Sequence, residues 1–181
     1  MKILGELTGY YYYFAPAINT QGGQYGNGLL SRFPIESADY VVLPEGGYEN
    51  EEQRVVLQAC LNVNGTKLYF YCTHFNQWAA DASMKAIYKL ARPNDPFIVV
   101  GDFNYQNFDV FNQNFPDCTK VNNAAVNWKT TYDGYMFDNI ILSKSIEKIR
   151  ACLIDTTDAN GKRHSDHLMV VADIRIILPE S

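Results

Sequence analysis

Phe97-Ile98-Val99-Val100-Gly101-Asp102-Phe103-Asn104 decides how the rest of the chain is read. An apolar, β-branched run that follows Pro96 and is too short for an ordinary helix reads as a strand covered on both faces. The run then stops on polar chemistry. Gly101 permits a close turn of the backbone, and Asp102 and Asn104, two residues apart on an extended chain, aim their oxygens the same way. A carboxylate and an amide on one side of a strand end can hold a hard cation or orient a water molecule. On this octapeptide alone, an Asp/Asn turn that merely closes a strand is the better reading. Other strand ends carrying the same residue types shift the balance.

The chain has 181 residues, enough for one domain with a real core, and its 47% hydrophobic and 19% charged content is that of a globular protein. No apolar run reaches the length of a membrane span. A net charge of −5, from 15 basic and 20 acidic residues, argues against a non-specific nucleic-acid binder, although a local basic groove stays open. The four cysteines, at 60, 72, 118 and 152, show neither metal-ligand spacing nor the density of a disulfide scaffold.

Arg54 to Val63 and Thr66 to His74 form the clearest hairpin. A two-residue turn at Asn64-Gly65 sets Val63 opposite Thr66, Cys60 opposite Tyr69 and Leu57 opposite Cys72. Cys60 and Cys72 then lie on opposite faces and read as reduced thiols. Val55, Leu57, Ala59, Leu61 and Val63 share a core face with Leu68, Phe70, Cys72 and His74. The same register brings Arg54 beside His74, so one hairpin delivers a guanidinium and an imidazole to one rim.

Around this hairpin, Met1 to Leu7 reads as the tail of a helix and Tyr10 to Phe14 as a strand covered on both faces. Residues 22–28 read as a flexible glycine-rich loop and not as a P-loop, because no helix start or Lys-Ser/Thr pair follows. Gln77 to Ala91 is a helix with Ala80, Met84, Ile87, Tyr88 and Ala91 on one face, ended by Arg92-Pro93. Residues 105–131 carry no assignable period. Asp138 to Leu142, Ile146 to Ile154 and Leu168 to Ile176 read as strands, with a turn at Asp158 to Gly161.

Five stretches in this order, Gly23 to Pro34 (Gly-Gln-Tyr-Gly-Asn-Gly-Leu-Leu-Ser-Arg-Phe-Pro), Thr73-His74-Phe75, Gly101-Asp102-Phe103-Asn104, Phe137-Asp138-Asn139-Ile140-Ile141 and Ser165-Asp166-His167, resemble the endonuclease/exonuclease/phosphatase superfamily, which includes deoxyribonuclease I. Each motif alone is weak; together, in the family's order and spacing, they are strong. The resemblance runs from about residue 5 to residue 176 and is closest to the bacterial metal-dependent hydrolase branch. It implies an α/β (α+β) four-layered sandwich, two mixed β-sheets face to face with helices outside, and an active site at one edge.

The resemblance also implies roles. Asp102 and Asn104 match the water-orienting pair, and Asp166 a metal ligand or its supporting partner. His167 matches the histidine on the scissile phosphate, Asp138 the carboxylate that orients it, and His74 a second phosphate-proximal histidine. Arg54 and Asn76 are assigned to substrate binding, with Arg54 open to the plainer reading of a solvated charge at a strand start. Such oxygen ligands suit magnesium or manganese, a divalent cation, rather than zinc.

Relatives carry, upstream of the first strand present here, an asparagine and a Gln-Glu pair whose glutamate binds metal. This chain starts after both. The expectation is one domain over 1–181 without its first strand or that glutamate. The leading expectation is a metal-dependent hydrolase of phosphoester or phosphodiester bonds; the alternatives are a non-catalytic phosphate-binding module of the same fold, and a nuclease. Residues 21–31, 74–83 and 103–117, nearest the proposed rim, contain no Lys or Arg. A small phosphorylated substrate is therefore favoured over duplex DNA, whose backbone demands such residues. Trp78, Trp128 and the tyrosine-rich opening read by default as core.

Overall fold

In a computed structural model of the chain, the structure describes residues 1–91 and 95–177. The first element, α1 (Lys2–Thr8), ends at Gly9 in the left-handed region. β1 (Tyr11–Thr20) and β2 (Gly23–Ser31) follow as an antiparallel hairpin. Next come β3 (Ile35–Val42), β4 (Val55–Val63) and β5 (Thr66–His74). A 3-10 turn (Gln77–Ala79) leads into α2 (Ala80–Leu90), then β6 (Phe97–Asp102), α3 (Phe108–Asn114) and β7 (Thr119–Lys120). β8 (Asp138–Leu142), β9 (Ile146–Ile154) and β10 (Met169–Ile176) complete the order.

A six-stranded mixed sheet, ordered β3-β4-β5-β6-β8-β7, is the backbone of the fold. Only β5 and β6 run parallel, and a parallel pair needs a crossover, which α2 supplies. Helix α2 buries Ala80, Ser83, Met84 and Ile87 at three- and four-residue spacing against that sheet. Phe97, Phe103, Phe111 and Phe115, each 1% exposed or less, fill the same layer. Burial of each stabilises the fold by roughly 1.5–3 kcal/mol. The opposite face of the sheet packs Val55, Leu57, Leu61, Ile98 and Leu142 against Ala15 and Leu29 of the first hairpin and Ile146 of β9. α1 lies beyond, against Tyr12, so four layers stack in the α/β sandwich that the sequence led us to expect.

The second layer is split. β1–β2 and β9–β10 are separate two-stranded hairpins, not one continuous sheet. The former rides over β4 and β5 and the latter over β8, and between them Val100 and Ile140 are only half-buried.

The β4–β5 register is the one read from the turn: Val63 faces Thr66, Cys60 faces Tyr69 and Leu57 faces Cys72. None of the four cysteines forms a disulfide among the described residues. The hairpin is buried on both faces rather than one, with Val56 and Tyr71 in the helix-side core.

Other readings are corrected. Residues 22–28 are not a loop: Gly23 to Gly28 lie in β2, and a side chain at Gly26 would sit 2.0 Å from the Ala15 carbonyl oxygen. Glycine is there because the opposing backbone is too close for a Cβ, which a sequence displays as flexibility. Strand β1 is covered more deeply on one face than the other: Tyr13 and Ala15 turn into the core, α1 lies against Tyr12 on the opposite face, and Tyr11 and Tyr12 at the strand's start stay exposed. The unassigned stretch 105–131 holds α3, capped by Asn107 Oδ1, and β7. The expected helix begins as a 3-10 turn, and its Arg92-Pro93 stop lies outside the described residues.

Candidate active site

Three adjacent strands deliver one row of side chains to the sheet edge. His74 closes β5 and pairs with Asp102 at the end of β6, which pairs with Asp138 at the start of β8. Gly101 makes this row possible. At φ +150° it faces Thr73 across the parallel pair, and a Cβ there would lie 1.9 Å from the Thr73 carbonyl oxygen.

Asp102 and Asn104 converge, but not through an extended chain. Asn104 has φ +45°, a left-handed conformation that asparagine tolerates, and Asp102 Oδ1 accepts its backbone N–H at 2.8 Å. The Asn104 amide donates to the Phe75 carbonyl at 3.0 Å and lies 3.1 Å from His74 Nε2. A carbonyl accepts only, so Phe75 fixes the amide's orientation, and the amide's N–H makes His74 Nε2 an acceptor. His74 Nδ1 then carries the proton and donates to Tyr25 Oη at 2.9 Å.

His167 reaches the row from the other layer. A bridge between Thr131 and His167, with Leu168 N–H bonded to Thr130 O, sets the residue beside β8. Its Nδ1 is 2.7 Å from Asp138 Oδ2, and its Nε2 is 3.8 Å from Asp102 Oδ2. His74 Nε2 stands 3.4 Å from the same oxygen.

The two imidazoles are pushed in opposite directions. Burial, and then the Arg54 charge, hold His74 below its ordinary value, overriding the pull of Asp102. Burial also lowers His167, but the bond to Asp138 and the charges of Asp138, Asp102 and Asp166 outweigh it and raise the group. Burial raises Asp138, offset only in part by Thr130 and His167. The charged form is therefore disfavoured on His74 and favoured on His167, relative to a free imidazole.

Arg54 is not a solvated charge. Its side chain is 15% exposed, Nη2 lies 2.9 Å from Glu52 Oε2, and the guanidinium sits over the Tyr25 ring. Nε and Nη1 are buried with no hydrogen-bond partner among the described residues. A cavity of about 300 Å³ opens beside Arg54, Glu52, Asn76 and Asn104. Asn76 is buried and uses its Oδ1 to accept the Trp78 N–H at 3.1 Å.

Asp166 stays exposed on its loop, and its backbone carbonyl accepts the Tyr132 N–H. No group of three or more His, Cys, Asp or Glu side chains that could hold a metal occurs among the described residues. Asp102 Oδ1 accepts the Asn104 N–H, while Oδ2 faces the two imidazoles at 3.4 Å and 3.8 Å. Without such a cluster, the residues present do not fit a metal centre by themselves.

Tyr25, which bonds His74 and packs beneath Arg54, was hidden in the glycine-rich stretch. The signal that could have exposed it is the alternation around Tyr25 once 23–31 is taken as a strand. Arg163, with its guanidinium 3.9 Å above the Tyr132 ring, likewise adds a cation on the loop that carries Asp166.

The profile of the Endonuclease/Exonuclease/phosphatase family matches residues 2–167. The chain belongs to this family. Its members include phosphoester hydrolases and nucleases. Among solved structures of similar fold is an endonuclease/exonuclease/phosphatase from Beutenbergia cavernae, with TM-score 0.76 and 17% identity over 97% of this chain. This chain spans 57% of that protein's length. The human Nocturnin catalytic domain with bound sulfate has TM-score 0.78 at 19% identity, with 97% of this chain and 75% of that one covered. A mannosyl-6-phosphatase from Bacteroides thetaiotaomicron has TM-score 0.69 at 18% identity, with 97% and 80% covered. At these identities the family fold is what is shared. No curated protein matches the chain by sequence. No helix among the described residues is long and apolar enough to cross a membrane.

Proposed function

We propose that the chain hydrolyses phosphoester bonds, with a small phosphorylated compound favoured over duplex DNA. The observation that carries this is the pair of imidazoles on Asp102 Oδ2, one held by Asp138 and the other by Tyr25. His167, whose charged form Asp138 favours, faces a phosphoryl oxygen and stabilises its charge, while Asp102, Asn104 and His74 present acceptors to the attacking water. Water forms the new P–O bond as the ester P–O bond breaks. The electron pair stays on the ester oxygen, which takes a proton from His167, and His74 takes at Nε2, from which the Asn104 N–H withdraws, the proton that water releases. The unpartnered Arg54 donors, beside Asn76, lie where a phosphate can approach.

Magnesium or manganese belongs to this reading through the resemblance. The resemblance assigns Asp166 as its ligand or supporting partner, and magnesium commonly takes most of its ligands from waters and substrate phosphates. A second reading, a phosphate-binding module without turnover, is favoured by the lack of a three-residue metal cluster among the described residues.

The deciding assay measures phosphate or alcohol release from phosphomonoesters, a chromogenic phosphodiester and plasmid DNA, with magnesium, with manganese and with chelator. Turnover of a small ester that His167→Ala abolishes is the expected result. Tight phosphate binding without turnover of any substrate in any metal would favour the binding module. Efficient, salt-sensitive plasmid nicking with little small-ester turnover would make it a nuclease.

A further inference from the structure

Residues 155–168 join β9 to β10 with no helix or strand of their own beyond the single bridge at His167, and 159–166 are exposed throughout. A connection longer than roughly a dozen residues with no regular structure wanders unless something ties it down. This one ends on Asp166 and His167, so where it is tied decides where the imidazole stands.

Asp158 ties the loop to itself. Its Oδ1 accepts the N–H groups of Asn160 and Lys162 at 2.9 Å and 3.0 Å, and its N–H donates to the Lys162 carbonyl. The His167 N–H likewise donates to Ser165 Oγ, within the same loop. Such bonds shape the loop without fixing it to the sheet.

Tyr132, on the segment that leads into β8, supplies the fixed point. Its hydroxyl donates to Asp155 Oδ1 and stands 3.0 Å from Thr157 Oγ1, at the start of the loop. The Thr157 and Tyr132 hydroxyls hold the Asp155 carboxyl down at about 2, so the acceptor is ionised at neutral pH. Past the Asp158 turn, the Arg163 guanidinium lies 3.9 Å above the centre of the Tyr132 ring, a cation–π contact. At the loop's end the Tyr132 N–H donates to the Asp166 carbonyl at 3.1 Å. One residue therefore grips the loop before its turn, after its turn and beside His167.

The two residues before Tyr132 are anchored as well. Thr130, fully buried, accepts the Asp138 N–H on Oγ1 at 3.0 Å and the Leu168 N–H on its carbonyl at 2.8 Å. Thr131 forms the bridge to His167. The segment from Thr130 to Tyr132 thus bonds both to the strand that carries Asp138 and to the loop that carries His167, and the 2.7 Å contact between those two side chains spans this junction.

We propose that Tyr132 is the positioning residue of His167: its hydroxyl and ring clamp the β9–β10 loop so that the imidazole is held against Asp138. The proposal rests on the phosphoester-hydrolase reading for its effect on turnover, while the clamp itself does not.

The test compares the wild type with Tyr132→Ala and Tyr132→Phe, the second keeping the ring under Arg163 and removing only the bonds of the hydroxyl. Amide hydrogen exchange reads the loop: the Leu168 amide should exchange roughly tenfold faster in Tyr132→Ala, and by less in Tyr132→Phe, while the β6 amides keep their rates. On the ester that the wild type turns over, kcat should fall roughly tenfold in Tyr132→Ala, and by less in Tyr132→Phe, with KM unchanged, because a misplaced imidazole weakens the transition state and not substrate binding. Asp155→Ala should lower kcat as Tyr132→Phe does, and the double variant no further, since the two groups form one bond. A tyrosine needed only for stability would leave the kcat of the folded protein where it is. That result, or a falling kcat with Leu168 exchange unchanged, would overturn the proposal. Faster Leu168 exchange in a protein that turns over no ester would leave the clamp standing and overturn the hydrolase reading instead.

Discussion

His74 and His167 turn their Nε2 atoms toward the same carboxylate oxygen, Asp102 Oδ2, at 3.4 Å and 3.8 Å. Their surroundings nevertheless drive their titrations apart, which on the proposed mechanism gives one site a proton acceptor and a proton donor from two identical side chains.

The first consequence is a bell-shaped pH profile. Burial and Arg54 lower His74, so its protonation forms an acid limb below pH 6.5; Asp138 raises His167, so its deprotonation forms an alkaline limb above 6.5. Asp138→Asn removes the anion that holds the proton on His167 and shifts the alkaline limb to lower pH. Measuring kcat/KM against pH in both proteins checks this. An alkaline limb that stays in place would assign it to another group.

The same bond contributes to folding with a defined sign. A histidine whose folded value is raised above 6.5 contributes stability that is fully present below 6.5 and is lost as pH rises through the folded value. Urea unfolding of wild type and Asp138→Asn should therefore differ more at pH 6 than at pH 9. A difference that is constant or grows with pH would mean that the 2.7 Å contact does not hold the proton in solution.

Gly101→Ala places a methyl group 1.9 Å from the Thr73 carbonyl oxygen at a φ of +150°. The backbone of β5 or β6 must give way, at a cost of about 2 kcal/mol or more. For a chain of this size that lowers the melting temperature by roughly 5 °C. Activity should fall further than stability explains, because His74 and Asp102 are the next pair in the row. An unchanged melting curve would contradict the close approach.

Tyr25→Phe removes the partner of His74 Nδ1 while keeping the ring beneath Arg54. A hydrogen bond of about 1 kcal/mol corresponds to a several-fold loss in kcat, and the acid limb of the pH profile should shift with it. A merely structural tyrosine would change neither kcat nor that limb once the folded fraction is taken into account.

Much of the framework is local and was legible from residues alone. Asn64-Gly65 with flanking alternation permits one register, and that register is the one found. Phe97 to Val100 and Asp138 to Leu142 are strands whose runs are short and rich in apolar, β-branched residues between turn signals. Motif order pointed to His74, Asp102, Asn104, Asp138 and His167 as neighbours, and these five do meet. What the sequence could not decide depends on the approach of distant segments. Gly26 of β2 marks a backbone pressed against Ala15, not freedom, and reading the stretch as a loop concealed Tyr25. Arg54 is largely withdrawn from solvent over Tyr25, and Trp78 packs on Tyr48, both through contacts between segments far apart in the chain. Above all, no local signal separates one histidine's titration from the other's. That difference comes from burial, from Arg54 and from the Asp138 carboxylate, groups that only the packing of three strand ends and a second layer brings within reach.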